Sequence, residues 1–317
     1  MTSAPQLANA PAALSGRVIA SHGRRVLIET TDGARVPCAI LGRDLQIVCG
    51  DEVLWRRDVA ADRGIVTERQ PRRSALERTN AHGGTELVAA NLTQLLVVVA
   101  HEPAPDFFIV DRFLAAAELA GIRAAVVRNK VDAPGNDSEA LDTELAYYAR
   151  IGYATLACSC VDGTGMEALE SQLAARVSVL VGQSGVGKSS LANYLVPGLE
   201  AATAELSDAT EEGRHVTSVS TLHHLPHGGD LIDSPGVRDF APAIERITNP
   251  THAFRELAAL ADGCRFADCK HLREPDCAVR AAVDGGAVSA RRYESFRRLS
   301  RLREQLAPPP GARRRRR

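Results

Sequence analysis

The stretch Gly182-Gln183-Ser184-Gly185-Val186-Gly187-Lys188-Ser189 constrains this 317-residue chain more than any other feature. Its glycines let the backbone pass close to a ligand, so that successive N–H groups point at phosphate oxygens. The apolar run 177–181 before it reads as a buried strand, and the residues after it open a helix whose N-terminus adds partial positive charge. That strand–loop–helix setting is what makes a glycine-rich motif a phosphate loop. Lys188 is then placed to reach the β- and γ-phosphates, and the hydroxyl of Ser189, followed by Ser190, to coordinate Mg²⁺. The middle of the chain is therefore expected to be an α/β domain that binds a nucleoside triphosphate.

The surrounding pattern agrees. Strands are predicted at 92–100, 122–127, 153–157 and 177–181, separated by helices at 106–121, 138–150 and 164–176. Such alternation implies a parallel sheet with ligand loops at the carboxyl ends of its strands. Asn129-Lys130-Val131-Asp132 follows one of these strands. Asp132 there can accept from the N1–H and exocyclic amine of guanine, donors that adenine lacks, and a carboxylate left without them penalises the wrong base. Lys130 would lie along the base, and Asn129 would tie neighbouring loops together. Ser159 and Cys160, after the next strand, are placed to touch the guanine. Asp233-Ser234-Pro235-Gly236 ends a strand at 230–232; its aspartate would hold Mg²⁺ through water and the Gly236 N–H would sense the γ-phosphate. In the polar segment Gly213-Arg214-His215-Val216-Thr217, Thr217 is the candidate switch threonine on Mg²⁺.

The order of these motifs is unusual. Base-reading residues at 129–132 and 158–160 precede the phosphate loop, and the switch motifs come last. The same three-dimensional site is expected from a circularly permuted chain.

The flanks differ from the middle. Residues 15–72 contain five short alternating strands (16–21, 25–29, 35–41, 52–56 and 64–68) punctuated by Gly and Asp turns, as in a small OB-fold β-barrel. Gln70-Pro71-Arg72-Arg73 reads as a linker. Past residue 240 the pattern becomes helical, interrupted by Cys264, Cys269, His271 and Cys277, a Cys₃His set suited to one structural Zn²⁺. Cys38, Cys49 and Cys158 read as inert core thiols. The net charge of −1 conceals a strongly acidic segment 79–287 between a mildly basic front and a strongly basic last thirty residues. Polyanions would meet the ends. Only Lys130, Lys188 and Lys270 are lysines among 38 basic side chains, so two rare lysines fall in nucleotide motifs. With 24% charged and 45% hydrophobic residues the chain is not disordered throughout; it has no apolar run long enough for a membrane span, and its odd seven cysteines do not suit a disulfide scaffold. A cytoplasmic monomer is expected. The parts divide as a flexible lead at 1–14, the barrel at 15–72, a GTPase domain at 73–240, a zinc module at 241–306 and an Arg-rich disordered tail at 307–317.

The permuted order, the front barrel, the CX₄CXHX₅C module, Ala89-Ala90-Asn91 and the run from His227 to Arg238 together resemble the ribosome small subunit-dependent GTPase family, RsgA (YjeQ). The likeness covers about residues 15–300. It implies a GTP hydrolase of late small-subunit maturation, stimulated by the subunit, with barrel and zinc module both touching ribosomal RNA. The family's His-Thr-Thr is His215-Val216-Thr217 here. Val237 stands where many GTPases carry a water-orienting glutamine, and valine has no hydrogen bond to offer water. His215 matches a histidine given that role in the family, which makes His215, Thr217 and Lys188 the candidate catalytic residues. Two rivals stay open at this point: a P-loop ATPase or kinase with a coincidental Asn-Lys-Val-Asp, and an RNA-binding scaffold with a dead nucleotide site.

Overall fold

The computed structural model describes residues 13–41, 45–58, 63–79, 84–133, 139–199, 220–234 and 247–306. Its front is the expected barrel. Strands β1 (Leu14–His22), β2 (Arg25–Thr30), β3 (Arg35–Ile40), β4 (Glu52–Asp58) and β5 (Arg63–Arg69) lie in the order β1-β2-β3-β5-β4, and β4 returns to pair with β1. Closure removes exposed sheet edges and gives alternate residues a common interior. Val18, Ile28, Cys38, Val53, Trp55 and Val66 belong to the cluster that fills it. Trp55 is 2% exposed, so the one tryptophan packs the barrel instead of offering a stacking face to a base.

Between barrel and central sheet, the sequence pattern suggested only a linker. The structure adds a hairpin, β6 (Ala75–Thr79) with β7 (Thr85–Ala90). The connection is also docked: Arg72 grips the buried Asp51 through Nε and Nη2 at 2.7 and 2.8 Å, and the Arg73 N–H donates to Asn91 Oδ1 at 2.9 Å. Asn91, with φ +56°, also donates to Gly50 O. Local pattern does not reveal these ties because each partner lies about twenty or more residues away.

The central sheet follows the predicted alternation. Parallel strands β8 (Gln94–Val99), β9 (Arg123–Arg128), β10 (Ala154–Ala157), β11 (Val177–Val181) and β13 (Asp230–Asp233) lie in the order β10-β9-β8-β11-β13, with antiparallel β12 (Ser220–His224) beyond β13. Helices α1 (Phe107–Ala120), α2 (Glu139–Arg150), α3 (Met166–Leu173) and α4 (Lys188–Leu195) make the crossovers. α1 starts at Asp106, whose carboxylate accepts from Phe108 N–H, and stops at Gly121 in the left-handed conformation. β8 is wholly buried, which explains its unbroken apolar run. β12 was not foreseen, and it pairs with β1 (Ala20 opposite Thr221), joining barrel and central sheet into eleven strands.

The C-terminal part contains a short 3-10 helix (Pro250–Ala253) and helices Arg255–Ala261, Ala278–Asp284 and Ala290–Leu306. Phe254, Leu257, Val279, Phe296 and Leu299 share a core with Phe108 and Ala115 of α1. Beside it, the fully buried Arg292 donates to Asp111 Oδ1 at 2.6 Å and Glu256 Oε1 at 2.7 Å. Among the described residues no helix is long and apolar enough to cross a membrane.

Candidate functional site

The strand order reverses between β8 and β11, and the loops leaving their carboxyl ends diverge to open a crevice there. The phosphate loop follows β11 into that crevice. Gly182 and Gly187 have φ of +145° and +93°, and a side chain on either would collide, with the Val98 carbonyl and the Asn129 amide respectively. Only glycine satisfies both demands. Lys188, 9% exposed, donates from Nζ to Gly182 O at 2.8 Å and Gln183 O at 2.6 Å, so its ammonium lies in the curve of the loop. Ser189 and Ser190 are exposed on the first turn of α4. Gln183 steadies the rim by accepting the Asp106 N–H at 2.7 Å, a contact between residues 77 positions apart that no local pattern signals.

The base-reading loop is fastened to this one. Asn129, 1% exposed, donates from Nδ2 to Val186 O at 3.0 Å, the loop-tying part expected of it. Lys130, with φ +62°, reaches Gly185 O at 2.6 Å and Glu102 O at 3.1 Å. The Val131 N–H meets Cys158 O at 3.3 Å, which binds the third loop to the second. Asp132 is exposed at the mouth. Ser159 is buried and its Oγ accepts from Val161 N–H at 3.1 Å, so the hydroxyl shapes the loop's own turn, while Cys160 is half-buried beside it. On the other side Lys188, Asp233 and Ser234 line one small cleft, and Ser234 Oγ is 2.7 Å from Ser220 Oγ. His215, Thr217, Gly236 and Val237 lie outside the described residues.

The cysteines divide as the sequence suggested. Burial pushes the thiols of Cys38 and Cys49 up to about 12 and that of Cys158 to about 11, so these three stay protonated and unreactive. The donor atoms of Cys264, Cys269, His271 and Cys277 instead converge within 4.8 Å of one another. Cys264 Sγ is 3.4 Å from His271 Nδ1 and 3.9 Å from Cys277 Sγ, and Cys277 Sγ is 3.5 Å from the same nitrogen. Tetrahedral zinc with its usual bond lengths separates its ligands by about 3.5–3.8 Å, so the set fits. The Glu274 carboxylate, which sequence reading passed over, accepts backbone N–H groups of Lys270, Leu272 and Arg273 and so folds the loop that carries His271. Burial opposes its charge, but the backbone N–H groups together outweigh it and bring it to about 2. Lys270, the third lysine, is exposed on that loop.

Comparison with known proteins agrees with this geometry. The family model described as RsgA GTPase matches residues 69–242. Small ribosomal subunit biogenesis GTPase RsgA from Chromohalobacter salexigens is 44% identical over 289 residues, covering 90% of this chain and 84% of the relative. The protein of the same name from Azotobacter vinelandii is 41% identical over 290 residues, again 90% and 84%. The crystal structure of YjeQ from Thermotoga maritima superposes with a TM-score of 0.73 at 29% identity, covering 93% of this chain and 99% of that one. YloQ, described as a circularly permuted GTPase, gives 0.72 at 23% identity over 96% and 99%, a likeness of fold.

Proposed function

Because the chain belongs to the RsgA GTPase family, we propose that it hydrolyses GTP to GDP and phosphate while bound to the small ribosomal subunit, acting late in that subunit's maturation and turning over faster on it. The observation that carries the reading is the fastening of the base loop to the phosphate loop, Asn129 Nδ2 to Val186 O at 3.0 Å. It makes one nucleotide site out of motifs that stand in permuted order.

Within that site the roles follow from position. Backbone N–H groups of Gly182, Gln183, Ser184, Gly185, Val186 and Gly187 would wrap the phosphates, and Lys188 would turn from its loop carbonyls to the β- and γ-oxygens as charge develops there. Asp132 would read guanine, Lys130 would lie against the base, and the turn at Ser159 and Cys160 would close over it. Ser189 and Thr217, with Asp233 through water, would hold Mg²⁺, which when bound neutralises charge on the bridging phosphates. Gly236 would sense the γ-phosphate and His215 would orient the attacking water, since Val237 has no polar atom in its side chain. Cys264, Cys269, His271 and Cys277 would hold one zinc with no position left open, a staple and not a catalyst.

The barrel at 15–72 and the zinc module at 241–306 are taken as the surfaces that meet ribosomal RNA, on either side of a GTPase domain at 73–240. A cytoplasmic monomer suits this work. The decisive experiment is the rate of GTP hydrolysis with and without purified small subunits. A slow basal rate that rises at least about tenfold with subunits, unaffected by excess ATP, is expected. Binding of GTP with no stimulated turnover would instead identify a scaffold with a dead site, and strong competition by ATP an ATPase.

A further inference from the structure

Four charged side chains stand on four successive strands where the barrel meets the β12–β13 hairpin. Arg17 of β1 and Glu29 of β2 are opposite one another, as are His224 of β12 and Asp230 of β13. Arg17 Nη1 donates to Asp230 Oδ2 at 2.7 Å. His224 bridges the rest, with Nδ1 2.6 Å from Asp230 Oδ1 and Nε2 2.8 Å from Glu29 Oε2. A neutral imidazole has a single N–H, so a ring that faces a carboxylate at each nitrogen is satisfied only as imidazolium. Burial works against that charge, but the hydrogen bonds its ring donates to Glu29 and Asp230 lift His224 above the ordinary histidine range. Two cations and two carboxylates then alternate along the ladder.

The hairpin gripped in this way is the one that ends in Asp233. Thr221 pairs with Ala20 of the barrel on one side and with Asp233 on the other, so a single strand separates the barrel wall from the aspartate. β13 in turn runs parallel to β11, which delivers the phosphate loop. Two register pairs, Ala20 with Thr221 and Ser21 with Ser220, join barrel to hairpin at the Asp233 end. The charge ladder ties the opposite end, at Asp230. With the ladder both ends of the hairpin are tied to the barrel; without it the Asp230 end, paired with Val177 of β11, follows the central sheet and only the Asp233 end follows the barrel.

We infer that this ladder makes the barrel and the Asp233 hairpin move together, so that seating the barrel on the small subunit sets Asp233 for hydrolysis. Arg17, Glu29, His224 and Asp230 are thus positioning residues for the stimulated reaction. The inference rests on the functional reading above, in which Asp233 serves the nucleotide's metal and the subunit is the activator. The His224 side chain is 51% exposed, so the ladder adds little to global stability and its loss leaves the fold intact.

His224→Gln and Glu29→Gln test it. Each variant is expected to keep its melting temperature, its affinity for a fluorescent GDP, its basal kcat and its affinity for small subunits, while the subunit-stimulated kcat falls about tenfold with KM for GTP unchanged. Arg17→Lys keeps a cation against Asp230 and should retain more of the stimulation than Arg17→Ala, which leaves Asp230 paired with His224 alone. Full stimulation in both Gln variants overturns the inference. So does a fall in basal kcat, melting temperature or subunit affinity that matches the fall in stimulated kcat, because the ladder would then serve the site, the fold or docking itself. If the unmodified chain is not stimulated, the functional reading fails first and the inference with it, which separates the two failures.

Discussion

Single residues carry the specificity of the nucleotide site. Asp132 is exposed on a loop held by Asn129 and Val131, the position from which it would read a base in the proposed site. On the proposed reading, Asp132→Ala removes the acceptor for guanine's N1–H and amine and leaves the phosphate loop untouched. Preference for GTP over ATP is expected to fall by about 10²-fold or more, measured by competition against labelled GTP; an unchanged preference would mean that guanine is read elsewhere. The two glycines at 182 and 187 show the complementary constraint, since each is required by a neighbour as well as by its own backbone. Those neighbours are Val98 and Asn129, which precede the phosphate loop in the chain by more than fifty positions and become adjacent only in the folded sheet.

The C-terminal helix Ala290–Leu306 is tied to α1 and α2 by buried charges. Asp111 of α1 accepts Arg292 Nη1 and Arg291 Nη1, each at 2.6 Å, and the Tyr148 hydroxyl of α2 at 2.7 Å. Burial alone would raise its pKa, but the two guanidiniums hold it below the usual carboxylate range. Asp111→Ala leaves Arg292, 0% exposed, with its charge only half compensated. A loss of about 3–5 kcal/mol is expected in denaturant titrations, as for other broken buried pairs. Glu294→Ala, which removes the partner of exposed Arg297 and Arg301 on the same helix, is the control and should cost less than about 1 kcal/mol. Equal effects would show that burial does not govern the strength of these pairs.

At the scale of the whole molecule, the described parts share cores and sheets. The core of the C-terminal helices borrows Phe108 and Ala115 from α1, and the barrel sheet runs through β1 and β12 into the central one. Stripping metal with a chelator should therefore lower the melting temperature and expose α1 as well as residues 254–299 to hydrogen exchange, and metal analysis of the untreated protein should find about one zinc per chain. Absence of zinc, or loss of protection confined to the cysteine loop, would contradict this.

The sequence by itself determined the phosphate loop, the base-reading tetrapeptide, the Cys₃His set, the barrel strands and the alternation that builds the central sheet. Each is written in contiguous residues, through glycine placement, spacing or hydrophobic period. The tertiary structure alone decided the docked linker at Arg72, the extra hairpin and β12, the buried Asp111–Arg292 pairing and the Arg17–Asp230–His224–Glu29 ladder. Their physical basis is charge and hydrogen bonding between side chains as many as 213 positions apart, and a lone Arg or Asp reads the same in sequence whether it faces solvent or a buried partner.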